Sequence, residues 1–173
     1  MFVSKTYHNS PSTKIDPQVT LPNPFVVVIT GGGRGLGEAY AVAYAQAGAN
    51  GIVLAARSQD ELDSVARRVA GISPKIKVSV VKYDVTLTSN VENLAKAIRE
   101  EHQGRLDVIV NNAAFLDDAG WKLITEGNPE DFRKTFDVNV FGVYLVTRTL
   151  IPLLLATEGG CRTGRSRMRT LVY

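Results

Sequence analysis

The residues best suited to chemistry in this sequence form a glycine-rich stretch that follows its first apolar run. Phe25 to Ile29 is short and β-branched, which is typical of a buried parallel strand. Residues 30 to 37 read Thr-Gly-Gly-Gly-Arg-Gly-Leu-Gly, and the alanine-rich stretch from Glu38 to Ala47 predicts a helix stopped by Gly48. A strand that turns through glycines into a helix presents backbone N–H groups and the positive end of a helix dipole, which together bind phosphate. The alternative is a glycine-rich turn that binds no ligand.

The spacing of the glycines narrows the kind of phosphate site. The common fingerprint Gly-x-Gly-x-x-Gly fails, because counting from Gly31 and Gly33 puts Leu36 at its third glycine. The P-loop also fails, since no Gly-Lys-Ser/Thr follows. The pattern that fits is Thr-Gly-x-x-x-Gly-x-Gly, whose fixed positions are Thr30, Gly31, Gly35 and Gly37.

Further polar residues follow later apolar runs. Asp84-Val85 follows the third predicted strand, and Asn111-Asn112-Ala113 follows the fourth. Asn139 lies within a long apolar helical pattern. Each has a purely structural alternative: Asp84 starts a turn, the asparagine pair ends a strand, and Asn139 is a buried polar group with its hydrogen bonds satisfied.

The elements that position these residues alternate along the chain. After the first strand, strands are predicted at residues 51–56, 75–83 and 106–110. The predicted helices after the first are residues 59–69 with Ser58 as N-cap, a third capped by Thr88 or Ser89, and residues 130 to about 155, which Pro152 ends or kinks. Strands alternating with helices predict an α/β fold with a parallel, doubly wound sheet and right-handed crossovers.

Composition indicates one globular domain. The chain has 173 residues, a formal net charge of +3 and a single cysteine, Cys161. Four arginines fall in residues 161–173, so the body is near neutral and suggests no nucleic-acid partner. We expect an extended arm at residues 1–24, a domain at residues 25–160 and a basic tail at residues 161–173. The sequence suggests no targeting signal, no transmembrane span and no metal site, and we expect a cytoplasmic protein.

Together these markers resemble the short-chain dehydrogenase/reductase family, over roughly residues 25–160. The resemblance implies a Rossmann-like domain that binds a nicotinamide dinucleotide and transfers hydride between it and a small carbonyl or alcohol. It implies that Asp84 and Val85 hold the adenine, and that Asn139 holds a water of the catalytic proton relay. It also implies a cofactor-lining role for a larger set: Thr30, Gly31, Gly33, Arg34, Gly35, Leu36, Gly37, Asn111, Asn112 and Ala113. Ala114 stands where the family's Asn-Asn-Ala-Gly motif has glycine.

The end of the second predicted strand bears on the choice of cofactor. An NAD enzyme places an acid there, which accepts a hydrogen bond from the ribose 2′-hydroxyl. Here Ala56 ends the strand and Arg57 follows it, so we expect no carboxylate to repel a 2′-phosphate and an arginine to pair with it. Arg34 in the glycine-rich turn points the same way in the resembling family. We therefore expect NADP(H) rather than NAD(H); the alternative is that Arg57 is merely solvated.

The resemblance stops short of the family's catalytic residues. The 173 residues contain no Tyr-x-x-x-Lys, and Tyr144 is followed four positions later by Arg148. Residues 161–169 do not read as the fifth strand that would carry the family's serine. We interpret this as truncation, which would leave a sheet of order 3-2-1-4 with an apolar edge at strand 4 and an uncovered long helix, both prone to association or aggregation.

Three functions stay open on the sequence alone. The first is an oxidoreductase that has lost most of its turnover, and the second is a non-catalytic module that binds NADPH or a partner. The third is a fragment that does not fold stably. A methyltransferase is less favoured, because it would want an acid after the second strand.

Overall fold

The structure is a computed structural model, and it describes residues 21–116, 123 and 125–157 together with the backbone of residues 170–172. Most of the expected arm and most of the expected tail lie outside the described residues. The predictions for residues 1–20, 158–169 and 173 therefore concern residues outside this description.

A five-stranded parallel sheet forms the centre of the fold. Its strands are β1 Val26–Thr30, β2 Gly51–Ala56, β3 Lys77–Lys82, β4 Val108–Asn111 and β5 Thr170–Val172. Their order in the sheet is β3-β2-β1-β4-β5. β1 is buried along its whole length, as the β-branched run predicts for a strand covered on both faces. The doubly wound order 3-2-1-4 predicted from the sequence is confirmed.

Two expectations about the far side of the sheet are wrong. β4 is not an edge, because β5 pairs with it in parallel, with Ile109 opposite Thr170 and Asn111 opposite Val172. The region expected to be a tail without a strand thus supplies the fifth strand. The sequence pattern misses it because only three residues pair, after a run of arginines that does not read as a strand.

Helices cover both faces of the sheet. The helices are α1 Gly35–Gln46, α2 Gln59–Ile72, α3 Thr88–Glu101, α4 Pro129–Phe136 and α5 Val143–Ala156. On one face, α1 and α2 bury Ala41, Ala45, Leu62, Val65 and Val69. On the other, α3 and α5 bury residues such as Leu94, Ile98 and Leu150. Each fully buried leucine or isoleucine stabilises the fold by roughly 1.5–3 kcal/mol, before the cost of ordering it.

Helix starts follow the predicted caps in one case and depart from them in another. The Ser58 side chain accepts a hydrogen bond from the backbone N–H of Glu61 and caps α2, as predicted. For α3 the prediction of Thr88 or Ser89 is wrong, since the N-cap is Leu87 and its side chain makes no capping bond. The turn before α3 is organised instead by Asp84 and Asn90, because the Asn90 amide oxygen accepts from the Asp84 backbone N–H.

The long predicted helix is present but is not uniform. A π-helical segment, Asp137–Gly142, joins α4 to α5. Gly142 lies against Val85, and a Cβ on that glycine would come within 2.5 Å of a Val85 methyl group. Pro152 does not end the helix, which continues to Ala156.

Among the described residues, one helix, Pro129–Ala156, is long and apolar enough to span a membrane when judged by length and composition alone. Its α5 part buries Leu145, Val146, Leu150 and Leu153 against the sheet. Core helices of soluble proteins have the same features, so this helix is weak evidence for a span.

Candidate functional site

A cavity of about 660 Å³ opens at the carboxyl ends of the central strands. Its walls come from the turn after β1, the start of α2, the end of β3, the segment after β4 and the junction of α4 with the π-helical segment. In open α/β sheets, ligands bind at this edge, where neighbouring connections leave the sheet on opposite faces.

The glycine-rich turn forms one wall of the cavity. Gly31 and Gly35 have φ of +66° and +57°, in the left-handed region that favours glycine. Gly31, Gly33, Arg34, Gly35 and Leu36 all line the cavity. Helix α1 begins at Gly35 with Arg34 as its N-cap, and no side chain caps it. The first turn of α1 thus faces the cavity with its dipole and without a capping side chain, as an anion site requires.

Gly37 acts by close packing and does not line the cavity. A Cβ there would lie 2.8 Å from the Gly31 carbonyl carbon and 2.9 Å from the Asn112 side-chain nitrogen, and closer still to the Gly31 oxygen. Contacts this short are not tolerated between real side chains and backbone. The absence of a side chain at Gly37 therefore lets α1 start directly against the turn that precedes it.

Thr30 and Asn112 tie the end of β1 to the segment after β4. The Thr30 hydroxyl is buried, donates to the Val110 carbonyl at 3.3 Å, and accepts from the backbone N–H groups of Asn112 and Ala113, each at 3.0 Å. The Asn112 side chain donates to the carbonyls of Thr30 at 3.0 Å and Gly31 at 3.2 Å. Thr30 therefore shapes the site from behind, whereas Asn112 and Ala113 reach the cavity surface.

Asn111 points away from the cavity into the sheet–helix interface. It is buried, and its amide nitrogen donates to the Thr147 hydroxyl at 3.1 Å. Its amide oxygen has no hydrogen-bond partner among the described residues. Asn111 therefore links β4 to α5, and it does not line the cavity.

Asp84 and Val85 stand at the end of β3 and line the cavity. The Asp84 carboxylate accepts from the backbone N–H of Thr86 at 2.9 Å and from its hydroxyl at 2.7 Å. Burial alone would raise the pKa of Asp84, but the Thr86 hydrogen bonds and the charges of Arg57 and Lys134 outweigh it and hold that pKa below its ordinary value. Asp84 is therefore ionised at neutral pH.

Asn139 does not line the cavity. Its amide nitrogen donates to the Phe115 carbonyl at 2.9 Å, and its amide oxygen accepts from the Phe115 N–H at 2.8 Å. Both polar groups of its side chain are thus used to hold the segment after β4 against the π-helical segment. Its hydrogen bonds are satisfied, as the structural alternative describes, but the residue is half-buried and not fully buried.

Charged residues that the sequence analysis did not single out also line the cavity. They are Glu61 from α2, Lys134 from α4 and Asp137 from the π-helical segment. Glu61 lies three residues after Ser58, the N-cap that the sequence predicts, so the predicted start of α2 could have placed it near this wall. The end of β2 carries no carboxylate, as expected, but Glu61 brings one to the same cavity from α2. Lys134 and Asp137 could not have been found this way, because only the tertiary fold brings their helix across the site.

Lys134 and Tyr83 also line the cavity. The Lys134 ammonium lies 4.3 Å from the centre of the Phe115 ring, a cation–π contact. Tyr83 is buried, and its hydroxyl has no hydrogen-bond partner among the described residues. Burial, reinforced by the Asp84 charge, raises the pKa of Tyr83 far above its ordinary value, so it stays a neutral phenol.

The described residues contain no group of three or more His, Cys, Asp or Glu arranged to hold a metal ion. What the cavity offers is a glycine-lined helix start, two arginines and an ionised aspartate. These groups suit a phosphate-bearing ligand with a polar ring system.

Comparison with curated proteins gives a consistent result. The family model described as short chain dehydrogenase matches residues 25–161. The short chain dehydrogenase pigC of Monascus ruber is 40% identical over 161 residues, which cover 90% of this chain and 52% of that protein. The short chain dehydrogenase mpl6 of Monascus purpureus is 36% identical over 165 residues, covering 94% of this chain and 54% of that protein.

Solved structures agree with the sequence comparison. The L-sorbose reductase of Gluconobacter frateurii, complexed with NADPH and L-sorbose, superposes with a TM-score of 0.70 at 30% identity, covering 82% of this chain and 51% of that one. The alcohol dehydrogenase of Thermococcus sibiricus, complexed with 5-hydroxy-NADP, superposes with a TM-score of 0.71 at 32% identity, covering 78% of this chain and 55% of that one.

The chain spans about half the length of these relatives. In this chain the family match covers residues 25–161, which include the glycine-rich turn and the residues that line the cavity. The family model spans most of the chain, and the parallel sheet has the same architecture as these solved structures. This chain therefore belongs to the short chain dehydrogenase family.

Proposed function

We propose that residues 25–160 form a domain that binds NADP(H) in the cavity beside the glycine-rich turn. The observation that carries the proposal is the uncapped start of α1, with Gly31 and Gly35 at positive φ, opening onto a cavity that Arg34 and Arg57 also line. Backbone N–H groups and a helix dipole suit a pyrophosphate, and two guanidinium groups nearby suit an additional phosphate.

The roles of the individual residues follow from their positions. Gly33, Arg34, Gly35 and Leu36 would surround the pyrophosphate with main-chain N–H groups. Asp84 and Val85 would contact the adenine, and Asn112 and Ala113 the part of the cofactor that passes the end of β4. Thr30, Gly37, Asn111 and Asn139 would support the site by holding these segments in place, because their side chains or packing contacts are directed elsewhere.

The preference for NADP(H) over NAD(H) is tested by changing Arg57. Arg57→Asp replaces a charge-assisted partner of the 2′-phosphate with a repelling carboxylate, so NADPH affinity should fall about 10–100-fold relative to NADH. The measurement is a fluorescence titration with each dinucleotide. Arg67→Asp is the matched control, because Arg67 is exposed on α2 and does not line the cavity. An unchanged NADPH-to-NADH ratio in Arg57→Asp would overturn the proposed preference.

We propose hydride transfer between NADP(H) and a small carbonyl or alcohol as the activity of the lineage, on the strength of the family membership. Bound NADP(H) would supply the hydride, and the glycine-rich turn would fix its phosphates. The 173 residues contain no Tyr-x-x-x-Lys to transfer the accompanying proton, so we expect this chain by itself to turn over slowly or not at all. NADPH consumption with a panel of aldehydes and ketones measures this, and turnover at a rate typical of enzymes would contradict it.

A non-catalytic NADP(H)-binding module is the second candidate. The absence of Tyr-x-x-x-Lys from the 173 residues favours it. Saturable NADPH binding without carbonyl reduction would support the module. A cooperative unfolding transition that NADPH shifts to higher denaturant would exclude an unfolded fragment. We expect a soluble protein of the cytoplasm, which subcellular fractionation would check.

Self-association is a further part of this proposal. An exposed aromatic surface on the long helix consists of Phe132, Phe136, Val140, Phe141 and Tyr144, each at least half exposed. Rings pair within it, Phe132 with Phe136 and Phe141 with Tyr144. An apolar patch of this kind favours contact with another protein surface. We expect the chain to form dimers or larger species in sedimentation experiments, and Phe132→Ser with Phe136→Ser to shift them toward monomer.

A further inference from the structure

The acidic residue Glu61 occupies the wall of the cavity that carries Arg34 and Arg57. It is the third residue of α2, and its carboxylate lies 3.9 Å from the Arg34 guanidinium. Arg57, Ser58 and Glu61 line the cavity together. The positive charges that suit a 2′-phosphate therefore share their wall with a negative charge.

The position of Glu61 is fixed by two separate features of the fold. The Ser58 hydroxyl accepts a hydrogen bond from the Glu61 backbone N–H at 3.4 Å, which sets the start of α2. Gly33 leaves room for the Glu61 side chain, because a Cβ on Gly33 would lie 3.1 Å from the Glu61 Cβ and 3.3 Å from a carboxylate oxygen. The Glu61 carboxylate therefore lies against the backbone of the glycine-rich turn.

This placement has opposite consequences for the two nicotinamide dinucleotides. A 2′-phosphate between Arg34 and Arg57 would be repelled by the Glu61 carboxylate and would compete with it for the Arg34 guanidinium. A 2′-hydroxyl, in contrast, is a donor that a carboxylate accepts, as the acid after the second strand does in NAD-binding folds. Glu61 thus brings to this cavity a carboxylate that Ala56 at the end of β2 does not provide.

We propose that Glu61 is a specificity-determining residue that narrows the preference of this site for NADP(H) over NAD(H). This inference rests on the proposed function, since it assumes that the dinucleotide's 2′ position faces the wall of Arg34, Arg57 and Glu61. Arg34 and Arg57 attract the 2′-phosphate, and Glu61 offsets part of that attraction while offering the 2′-hydroxyl an acceptor.

The test is Glu61→Gln, which removes the charge but keeps the size of the side chain and the backbone N–H that bonds to Ser58. Dissociation constants for NADPH and NADH are measured by fluorescence titration of the full 173-residue chain. Adenosine 2′,5′-bisphosphate and AMP serve as probes of the adenosine half alone. We expect the NADPH-to-NADH affinity ratio to rise about three- to tenfold, with a parallel change for the two adenosine probes. The gain should shrink as salt is raised.

Asp60→Asn is the matched control. It removes the same charge from the same helical turn, but Asp60 is exposed and does not line the cavity. Its effect on the ratio should be below about twofold, because its charge is screened by solvent. Glu61→Lys is the second variant and should raise the ratio further than Glu61→Gln. Circular dichroism of each variant reports whether the fold is retained.

The possible outcomes separate this inference from the proposed function. If the wild-type chain binds both dinucleotides but Glu61→Gln and Glu61→Lys leave their ratio within about twofold, the role of Glu61 is overturned and NADP(H) binding stands. A ratio that Asp60→Asn raises as much as Glu61→Gln would overturn the role too, since a general charge effect would then explain both. If the wild-type chain binds neither dinucleotide nor either probe, the proposed function itself fails.

Discussion

Replacing Gly37 with alanine tests the close approach on which the geometry of the site depends. The added methyl group would lie 2.8 Å from the Gly31 carbonyl carbon and 2.9 Å from the Asn112 side-chain nitrogen. The Gly31 carbonyl also accepts a hydrogen bond from that nitrogen at 3.2 Å. The substitution therefore forces backbone atoms apart at the point where β1, α1 and the segment after β4 meet.

The expected loss can be estimated from three contributions. Overpacking into a filled space costs about 1–3 kcal/mol, and more where backbone must move. Weakening the bond from Asn112 to Gly31 adds about 1 kcal/mol. Alanine recovers at most about 1 kcal/mol through its higher helix propensity, and less so close to the helix start. We expect Gly37→Ala to lower the free energy of unfolding by about 1–4 kcal/mol.

The assay is urea unfolding monitored by circular dichroism, with and without saturating NADPH. Gly71→Ala is the matched control, because Gly71 lies in α2 with open space around its missing side chain. That substitution should be neutral or stabilise the chain by up to about 1 kcal/mol. Gly37→Ala should also weaken NADPH binding, since the turn that it displaces carries the proposed phosphate contacts.

One result would refute this reasoning. If Gly37→Ala changes the unfolding free energy by less than about 1 kcal/mol and leaves NADPH affinity unchanged, the helix start tolerates a side chain there. The approach of α1 to the turn would then not require glycine at position 37.

Two further predictions follow from buried polar groups. Thr30→Val should lower the unfolding free energy by about 2–4 kcal/mol in urea titrations, because it leaves the N–H groups of Asn112 and Ala113 without their acceptor. Thr30→Ser keeps the hydroxyl and should be close to the wild type in stability. Equal stability of the two variants would contradict the role of the hydroxyl. Burial lowers the pKa of His102, the charge of Lys77 lowers it further, and the charge of Glu101 raises it by less. The unfolded chain therefore binds more protons than the folded chain below about pH 6.5. Stability should therefore fall as pH drops below that value, and His102→Gln should flatten this part of the urea-midpoint profile; an unchanged slope would argue against it.

The pH prediction concerns a buried cluster at the other end of the sheet from the cavity. The Ser79 hydroxyl lies 2.8 Å from the His102 Nε2 and also bonds to the Glu101 carboxylate. A Cβ on Gly51 would come 2.5 Å from the imidazole, so the ring lies directly against the backbone of β2. Asp84 has a lowered pKa as well, but the stability that it contributes is lost only below about pH 4, outside the range in which His102 titrates.

The sequence by itself determined the class of fold and predicted a candidate site at the glycine-rich turn. β-branched runs alternate with amphipathic helices along the chain. A parallel, doubly wound sheet is the arrangement that buries the apolar residues of both the strands and the helices. Glycines between the first strand and the first helix predict an anion site at that turn. These are local properties, set by side-chain periodicity and by backbone freedom, so they can be read without knowing which elements become neighbours.

Tertiary structure alone decided which of the marked residues reach the cavity. Thr30, Asn111 and Asn139 carry polar side chains in the expected places, yet their hydrogen bonds go to other segments of the fold. The pairing of β5 with β4 joins residues about 60 positions apart in the chain. The residues just before β5 show no strand pattern, so the sequence does not predict this pairing. Glu61 and Lys134 enter the site because two helices converge on it. The direction of a side chain and the charges opposite it depend on contacts between distant segments, which propensity and spacing do not encode.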